Sequence, residues 1–227
     1  MKLSIVIPIY NEKGTLLELL QKVEEADTLS LEKEIILVDD GSTDGVREIL
    51  KGLENKYLVI YHQKNQGKGA ALRSGFQKTT GDFILVQDAD LEYSPENYPQ
   101  LLQPLLENKV DIVYGSRNLK KNPTSYLRYA FGGRFINWLY NIFYGSNLTD
   151  VSTCYKLFKA PFIKSFELKG NGFDFDVEVT TQALKKKYQI LEVPIDYAPR
   201  TIEQGKKVKP RDGLIIVWQM LKYKFIK

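Results

Sequence analysis

The chain has 227 residues, of which 43% are hydrophobic and 26% are charged, values that are ordinary for a globular protein with one full core. Its one cysteine, Cys154, excludes an internal disulfide and fits a reducing compartment. The first residues lead directly into a predicted strand without a cleavage site, so we expect no signal peptide.

The formal net charge of +4 hides an asymmetry between the two halves of the chain. Residues 1–111 contain 12 basic and 19 acidic residues, a balance of −7, whereas residues 112–227 contain 20 and 9, a balance of +11. No acid occurs between residues 112 and 149. The second half is therefore expected to face an anionic partner, such as phosphate, lipid headgroups or nucleic acid.

The first half alternates between apolar, β-branched segments and amphipathic segments. The nearly continuous apolar run of residues 3–9 is typical of a strand buried on both faces of a parallel sheet. Four more predicted strands follow, at residues 34–38, 57–61, 82–87 and 110–114, with helices ending near residues 27, 53, 78 and 108. In the first of these helices the predicted apolar stripe is Leu16, Leu17, Leu20 and Val23. This alternation predicts an α/β fold with a doubly wound, mainly parallel sheet.

The alternation fades after residue 117, where aromatic and basic residues become frequent. Residues 126–148 form an aromatic segment, interrupted by two glycines, that suits either a membrane interface or a helix covering the sheet. The predicted elements that follow are a loop entering a strand at residues 150–158, a helix at 172–187, an edge strand at 192–197, a basic loop at 200–211 and a final helix at 212–227. The final helix is amphipathic and basic, and it either lies on a membrane surface or packs on the sheet.

Acidic side chains follow three predicted strands at the points where the strands end. Glu12 comes after the first strand, Asp40 after the second, and Asp88 and Asp90 after the fourth. Ligands of doubly wound sheets bind outside the carboxyl ends of the strands, so these side chains should share one edge. Two carboxylates one residue apart can chelate Mg²⁺ or Mn²⁺, which also binds substrate phosphates. The sequence therefore predicts a metal–nucleotide site at this edge.

Three further features have simpler interpretations. The turn Gly67-Lys68-Gly69 fits neither common phosphate-binding fingerprint, and we interpret it as a close-packing turn that places Lys68 near the ligand. The one histidine, His62, occupies an ordinary strand position and is interpreted as structural. Cys154 is interpreted as a small buried side chain.

Six motifs of this chain, taken together and in their order along the sequence, resemble those of a family 2 glycosyltransferase of the GT-A fold. The resemblance is strongest to its dolichyl- and polyprenyl-phosphate mannose synthase branch. The resemblance covers about residues 3–212. The motifs are Pro8-x-Tyr10-Asn11-Glu12, Asp39-Asp40-Gly41-Ser42-x-Asp44, Asn65-x-Gly67-x-Gly69-Ala70-x-x-x-Ser74-Gly75, Asp88-Ala89-Asp90, Gly115-Ser116-Arg117, and Arg200 followed by Lys206-Lys207.

The resemblance implies a role for each matching residue. Mg²⁺ or Mn²⁺ would be held by Asp88, Asp90 and Glu92, the last standing where such synthases often have Gln. Residues near four strand ends would border the nucleotide sugar: Pro8, Tyr10, Glu12, Val38, Asp39, Asp40, Lys68, Asp88 and Ala89. The catalytic set would combine the second metal ligand with residues that contact the leaving or acceptor phosphate: Asp90, Arg117, Arg200, Lys206 and Lys207. Which of the two lysines contacts phosphate is left open.

The implied reaction is metal-dependent, inverting transfer of a hexose, mannose or glucose, from a GDP- or UDP-sugar to a polyprenyl or dolichyl phosphate. A phosphate monoester has a second pKa of about 6, so this acceptor is already mostly dianionic at pH 7 and needs no strong base. The implied enzyme is one domain over residues 1–227, with a nucleotide-binding half (1–117), an acceptor-binding half (118–211) and a C-terminal amphipathic helix (212–227). It would be cytoplasmic and peripherally associated with the inner face of the membrane.

Two alternatives stay open at this point. A glycosyltransferase that acts on a sugar hydroxyl would need a carboxylate base, for which Asp150 and Glu178 are the candidates. A non-catalytic, sugar-nucleotide-binding subunit of a membrane complex would show the same motifs without turnover. Nucleic-acid binding is not expected, because the acidic edge would repel a polyanion.

Overall fold

A computed structural model describes residues 1–124, 127–201, 203 and 210–225 as one seven-stranded sheet and eight α-helices. The strands are β1 (Lys2–Ile9), β2 (Glu32–Asp39), β3 (Leu58–Tyr61), β4 (Phe83–Val86), β5 (Ile112–Ser116), β6 (Lys156–Lys159) and β7 (Ile190–Pro194). The helices are α1 (Leu16–Glu25), α2 (Val46–Lys51), α3 (Lys68–Phe76), α4 (Tyr98–Leu106), α5 (Leu127–Tyr144), α6 (Ala160–Lys164), α7 (Asp174–Lys185) and α8 (Pro210–Phe225). A short 3₁₀ turn, Pro95–Asn97, precedes α4.

The strand order is β3-β2-β1-β4-β6-β5-β7. All neighbouring pairs are parallel except those of β6, which runs antiparallel to both β4 and β5. The predicted mainly parallel α/β sheet is confirmed, and β7 lies at its edge as its proline indicates. The insertion of β6 between β4 and β5 was not predicted, because a four-residue strand carries no local signal of its neighbours.

The centre of the sheet is covered on both faces. Five successive residues of β1, Leu3–Ile7, are buried, which requires side chains on both sides of the strand to be enclosed. On α1 the buried stripe runs through Leu16, Leu19, Leu20 and Val23. The prediction of Leu17 in this stripe was wrong: Leu17 is exposed, because positions i, i+3, i+4 and i+7 share a helical face.

A second, smaller core lies among α5, α7 and α8. It is formed by Tyr140, Leu148, Val151, Val177, Ile216 and Met220. The helix α5 continues through Gly132 and Gly133 without a break. The helix α8 packs on α7 and α5. Among the described residues, no helix has the length and apolar character needed to cross a bilayer.

Candidate active site

The predicted meeting of strand ends at one edge of the sheet is confirmed by the register. Ile9 of β1 pairs with Asp39 of β2, and Val6 of β1 pairs with Val86 of β4. The loops that follow these three parallel strands therefore leave the same edge side by side. The loop after β1 carries Tyr10 and Glu12, the loop after β2 carries Asp40, and the loop after β4 carries residues 88–92.

The first ion pair at this edge joins α3 to the loop after β4. The Lys68 ammonium lies 2.6 Å and 2.8 Å from the two carboxylate oxygens of Asp88. Burial alone would lower the pKa of Lys68, but the Asp88 carboxylate outweighs it and raises that pKa well above its ordinary value. Lys68 therefore stays protonated and neutralises Asp88.

A second group of contacts brings three more acids, Glu12, Asp90 and Glu92, together around Arg200. Its two terminal nitrogens each lie 3.0 Å from a carboxylate oxygen of Glu12, and one of them also lies 3.1 Å from Asp90. The backbone N–H of Arg200 donates to Glu92 at 2.7 Å. The fork geometry of a guanidinium suits such bidentate pairing. Arg200 thus links the loop after β7 to the loops after β1 and β4.

The pKa of Asp90 is strongly perturbed. Burial and the neighbouring carboxylates of Asp88 and Glu92 raise its pKa to about 7, although Arg200 acts in the opposite direction. A carboxyl group whose pKa is raised by burial and by like charges is one that an added cation would stabilise in its ionised form. Strongly perturbed acids of this kind cluster at functional sites.

The donor set fits a hard divalent cation through two carboxylates. Asp88 and Asp90 carry the oxygen ligands that Mg²⁺ and Mn²⁺ prefer. Both oxygens of Glu92 already accept hydrogen bonds from the Tyr197 hydroxyl and the Arg200 N–H, each at 2.7 Å. Within the described ranges, no group of three His, Cys, Asp or Glu side chains could hold a metal ion. A cation here would meet the carboxylates of Asp88 and Asp90 and the substrate phosphate. The role of Glu92 as a third ligand stays a prediction, and its hydrogen bonds anchor the segment before Arg200.

The two acids at the end of β2, Asp39 and Asp40, accept hydrogen bonds from donors inside the protein. Asp39 is fully buried and accepts from Arg47 Nε at 2.7 Å and from the Ser42 N–H at 3.0 Å. Asp40 accepts from the backbone N–H groups of Gln66 and Gly67, at 2.9 Å and 2.7 Å. Asp40 therefore holds the turn from which Lys68 reaches Asp88, so the three predicted acidic loops form one connected unit.

His62 is part of this unit. Its Nδ1 lies 2.7 Å from Asp40 and its Nε2 lies 2.9 Å from the Ser74 hydroxyl of α3. The ring is buried and joins the end of β2 to α3. The structural interpretation of His62 is confirmed, but the contact with Asp40 was missed, because no local pattern relates positions 40 and 62.

The glycine turn is close-packed, as predicted. A Cβ at Gly67 or Gly69 would overlap the backbone carbonyl groups of Asn171 and Gly170, respectively. Gly67 also has φ +99°, a conformation that favours glycine. The Ala70 N–H donates to the Asn171 carbonyl at 3.1 Å. The start of α3 thus presses against the loop before α7.

Four other predicted donor-site residues line or support this edge. Pro8 pairs with Val38 across β1 and β2, and Val38 is fully buried. Ala89 is buried, and its carbonyl accepts from the Thr15 hydroxyl at 2.7 Å. Tyr10 is half-buried just beyond the end of β1. Thr15 was missed by sequence reasoning, because a threonine before a helix usually indicates only a cap.

Arg117 lies in a different environment from the predicted phosphate contact. Its Nε and Nη2 each donate to Asp150 at 2.7 Å, and its backbone N–H donates to the same carboxylate at 3.0 Å. Its guanidinium lies over the rings of Tyr197 and Tyr93, 5.1 Å and 5.9 Å from their centroids. The phosphate role of Arg117 stays a prediction. Because Asp150 neutralises the charge of Arg117, the structure favours a positioning role for this side chain over a phosphate contact.

The two candidate bases are both occupied. Asp150 is buried and receives the three donors of Arg117. Glu178 is also buried and accepts from the backbone N–H groups of Lys169, at 2.8 Å and 3.0 Å, and of Gly170, at 2.8 Å. The other predicted catalytic residues, Lys206 and Lys207, lie outside the described residues.

A buried lysine near this site was not singled out in the sequence. Lys156 at the start of β6 is fully buried, donates to Asp176 of α7 at 2.6 Å and lies 4.9 Å from the Tyr114 ring centroid. It also donates to the carbonyl oxygens of Val151 and Thr153. These contacts fix the loop that presents Asp150. A lysine in an apolar strand was the available signal.

Comparisons with known proteins agree with this geometry. Residues 4–166 match the family model described as "Glycosyl transferase family 2". The chain is 31% identical over 224 residues to "Dolichol-phosphate mannosyltransferase" of Pyrococcus furiosus, covering 91% of this chain and 59% of the relative. It is 28% identical to "Undecaprenyl-phosphate 4-deoxy-4-formamido-L-arabinose transferase" of Edwardsiella ictaluri, covering 89% and 62%. It is 28% identical to "Low-salt glycan biosynthesis hexosyltransferase Agl6" of Haloferax volcanii, covering 99% and 53%. The chain thus spans between half and two thirds of the length of these relatives.

The fold also matches solved structures. Glucosyl-3-phosphoglycerate synthase from Mycobacterium tuberculosis, in complex with Mn²⁺, uridine-diphosphate and phosphoglyceric acid, superposes with a TM-score of 0.78 at 17% identity, covering 100% of this chain and 79% of that chain. This similarity confirms the predicted GT-A fold. Together with the family match over most of the chain, it shows that the protein belongs to glycosyl transferase family 2.

Proposed function

We propose that this chain transfers a hexose from a nucleotide diphosphate sugar to a polyprenyl phosphate, with inversion at the anomeric carbon and with Mg²⁺ or Mn²⁺ as cofactor. The observation that carries the proposal is the pair Asp88 and Asp90 at the carboxyl end of β4, matched by the cations of Lys68 and Arg200. Residues 1–117 would bind the donor and residues 118–211 the acceptor. The relatives named for polyprenyl-type phosphates support this acceptor class.

At the donor side, Asp88 and Asp90 would hold the divalent cation, which when bound neutralises charge on the leaving diphosphate. Lys68 and Arg200 lie against these carboxylates, so they are placed to donate to diphosphate oxygens once a donor is present. Glu12 keeps the guanidinium of Arg200 directed toward the same edge. Charge that develops on the leaving group would thus meet fixed positive groups, which is the main requirement of this reaction.

At the acceptor side, a phosphate oxygen would form the new bond to the anomeric carbon while the bond to the diphosphate oxygen breaks. A dianionic phosphate brings its own electron pair, so no side chain has to remove a proton. The structure supports this acceptor over a hydroxyl, because Asp150 and Glu178 are buried and engaged with internal donors.

The acceptor has room between the loop before α7 and α8. A cleft of about 430 Å³ lies there, and its lining includes two lysines and one acid, Lys169, Lys222 and Asp174, beside Ile215 and Ile216. Cationic and apolar side chains together suit an amphipathic lipid phosphate, and the volume lies in the range of ordinary ligand pockets. The same loop packs against the glycine turn next to Lys68, so the cleft adjoins the donor edge.

Membrane contact would involve the outer faces of α5 and α8. Each helix carries an exposed apolar stripe: Phe131, Phe135, Trp138 and Ile142 on α5, and Ile215, Trp218, Leu221 and Phe225 on α8. The helices touch, since the Tyr144 hydroxyl donates to the Met220 carbonyl at 2.8 Å. Exposed aromatic residues beside lysines suit a lipid–water interface. This arrangement supports peripheral association of the protein with a membrane. A lipid acceptor on the inner face of the membrane would be reached from that position.

The test is transfer itself. Nucleotide sugars are screened with Mn²⁺ and a short polyprenyl phosphate, and labelled lipid is measured. We expect one donor to be used, excess EDTA to abolish transfer, and Asp90→Ala to lower it at least 100-fold while the fold is retained. The matched control is Asp196→Ala, which removes an exposed acid paired with Lys120 and should leave transfer unchanged. Full activity of Asp90→Ala, or full activity in EDTA, would contradict the proposal.

A further inference from the structure

A buried glutamine lies directly behind the carboxylate pair. Gln87 occupies the position between the last residue of β4 and Asp88, and its side chain is fully enclosed. Its backbone N–H donates to the Val6 carbonyl at 3.0 Å, so the residue is tied to the centre of the sheet. A buried polar side chain is unfavourable unless every polar atom has a partner. The identity of those partners therefore indicates what the glutamine does.

The amide nitrogen of Gln87 holds both ends of the loop that carries the acids. Its Nε2 donates to the carbonyl of Asp88 at 2.9 Å and to the carbonyl of Tyr93 at 3.4 Å. These oxygens can only accept, so the orientation of the amide is unambiguous. Residues 88–93 are thereby closed into a compact loop. Leu91 at its centre has φ +62°, an unfavourable conformation for a residue with a side chain, so the loop needs such external support.

The amide oxygen of Gln87 is held in turn by two tyrosines. The hydroxyl of Tyr98, from α4, donates to Oε1 at 2.8 Å, and that of Tyr155, next to β6, donates at 2.7 Å. Both tyrosines are fully buried. All hydrogen-bonding groups of the amide are thus used, and its position is set by three separate elements: β4, α4 and the segment entering β6.

The same loop also places Arg200. The carbonyl of Glu92 accepts from the Ala198 N–H at 2.9 Å, and the Glu92 carboxylate accepts from the Arg200 N–H at 2.7 Å. The ring of Tyr93 lies 5.2 Å from that of Tyr197. A loosened loop would therefore displace both the carboxylates and the guanidinium that faces them.

We propose that Gln87 is a positioning residue that sets Asp88 and Asp90 at the spacing needed for a divalent cation. It touches neither the cation nor the substrate, and it acts through the backbone of the loop. This inference rests on the proposed metal-dependent function. Residues that orient metal ligands through hydrogen bonds typically change metal affinity by about 10- to 100-fold when they are replaced.

The test variant is Gln87→Met, which keeps the length of the side chain and removes all four hydrogen bonds. Free Mn²⁺ is counted by electron paramagnetic resonance in titrations of the whole chain with UDP or GDP present. We expect Mn²⁺ to bind at least 10-fold more weakly than to the wild type, and half-maximal transfer to need correspondingly more Mn²⁺. The KM for the lipid phosphate should not change. Tyr155→Phe, which removes one hydroxyl of the cluster, is the milder second variant and should show an intermediate shift in the Mn²⁺ titration.

The matched control is Tyr114→Phe. This substitution also deletes a buried hydroxyl, which lies 2.9 Å from the Thr180 hydroxyl of α7. It should lower thermal stability without changing Mn²⁺ affinity. Suppose that the wild type binds Mn²⁺. The proposed role of Gln87 is then wrong if Gln87→Met binds Mn²⁺ as tightly as the wild type, or if Tyr114→Phe weakens Mn²⁺ binding as much as Gln87→Met does. A wild type that binds no Mn²⁺ would overturn the proposed function, and this inference with it.

Discussion

At the scale of single residues, Asp90 lowers the stability of the metal-free fold as the pH rises. Its pKa of about 7 in the folded protein lies far above the usual value of 3.8. In the unfolded chain this carboxyl group ionises near pH 4, whereas in the fold it keeps its proton until about pH 7. The stability present below pH 4 is therefore progressively lost as the pH rises through 7. Arg200 offsets only part of the effect of burial and of the repulsion by Asp88 and Glu92, which together raise the pKa of Asp90.

Asp90→Asn should stabilise the metal-free protein at high pH, because asparagine cannot ionise between its acidic neighbours. We expect the gain in the free energy of unfolding to increase by about 2 kcal/mol between pH 5 and pH 8. The measurement is urea denaturation of both proteins in EDTA at the two pH values. A gain of equal size at both would contradict this account of Asp90.

Arg200 neutralises Glu12 and Asp90 when no divalent cation is present. Arg200→Gln should therefore lower the stability of the metal-free protein by about 2 to 4 kcal/mol, because it leaves buried carboxylates without a counter-charge. A cation that binds only the folded state then restores stability. We expect Mn²⁺ to raise the melting temperature of Arg200→Gln more than that of the wild type, as followed by thermal denaturation.

The control for Arg200 is Arg117→Gln, which removes the partner of buried Asp150 outside the carboxylate pair. It should also destabilise the protein, but Mn²⁺ should raise its melting temperature no more than that of the wild type. Equal Mn²⁺-induced shifts in the two variants would show that Arg200 does not stand in for the cation.

At the scale of elements, the start of α3 depends on the absence of a side chain. Gly69→Ala should lower stability by about 2 kcal/mol and weaken nucleotide binding, because the new methyl group would meet the Gly170 carbonyl and shift Lys68. Gly133→Ala makes the same change inside α5, where nothing lies within 4 Å of the added Cβ. There it should raise stability by about 0.5 to 1 kcal/mol, as alanine favours helix.

These two variants are compared by chemical denaturation and by titration with UDP and GDP. Weakened nucleotide binding in Gly133→Ala, or unchanged binding in Gly69→Ala, would contradict the assignment of the glycine turn to the donor edge.

At the scale of the whole molecule, the two tryptophans report on membrane contact. Trp138 of α5 and Trp218 of α8 are the only tryptophans of the chain, and they are 57% and 59% exposed. Vesicles with anionic lipid should shift their emission to shorter wavelength, because indole rings would leave water for the interface. Neutral vesicles should have a smaller effect, since each lysine near an anionic surface contributes about 1 kcal/mol.

The matched variant for membrane contact replaces Lys222 and Lys224 with glutamate. Lys222 lies 5.3 Å from the Trp218 ring centroid, and Lys224 lies 5.6 Å from that of Tyr144. We expect the emission shift to need several-fold more anionic lipid. An unshifted spectrum with the wild type at saturating vesicle concentration would contradict the proposed membrane face.

The sequence by itself determined the fold class and the edge of the sheet at which the acidic side chains gather. Continuous apolar runs such as Leu3–Ile7 reveal strands buried on both faces, and the acids that follow these runs must leave the sheet at one edge. The close-packed turn at Gly67 was predictable for the same reason, because the pattern is local in the chain.

Only the tertiary structure decided which charges meet. Arg200 reaches Glu12 across 188 positions, and Asp150, a candidate base in the sequence, proved to be the partner of Arg117. Gln87 likewise looked like the end of a strand until its contacts with Tyr98 and Tyr155 were known. Periodicity and composition report whether a side chain is buried, since burial depends on the residue's own element. The partner of a buried polar group depends on the path of distant segments, which strand order and packing establish.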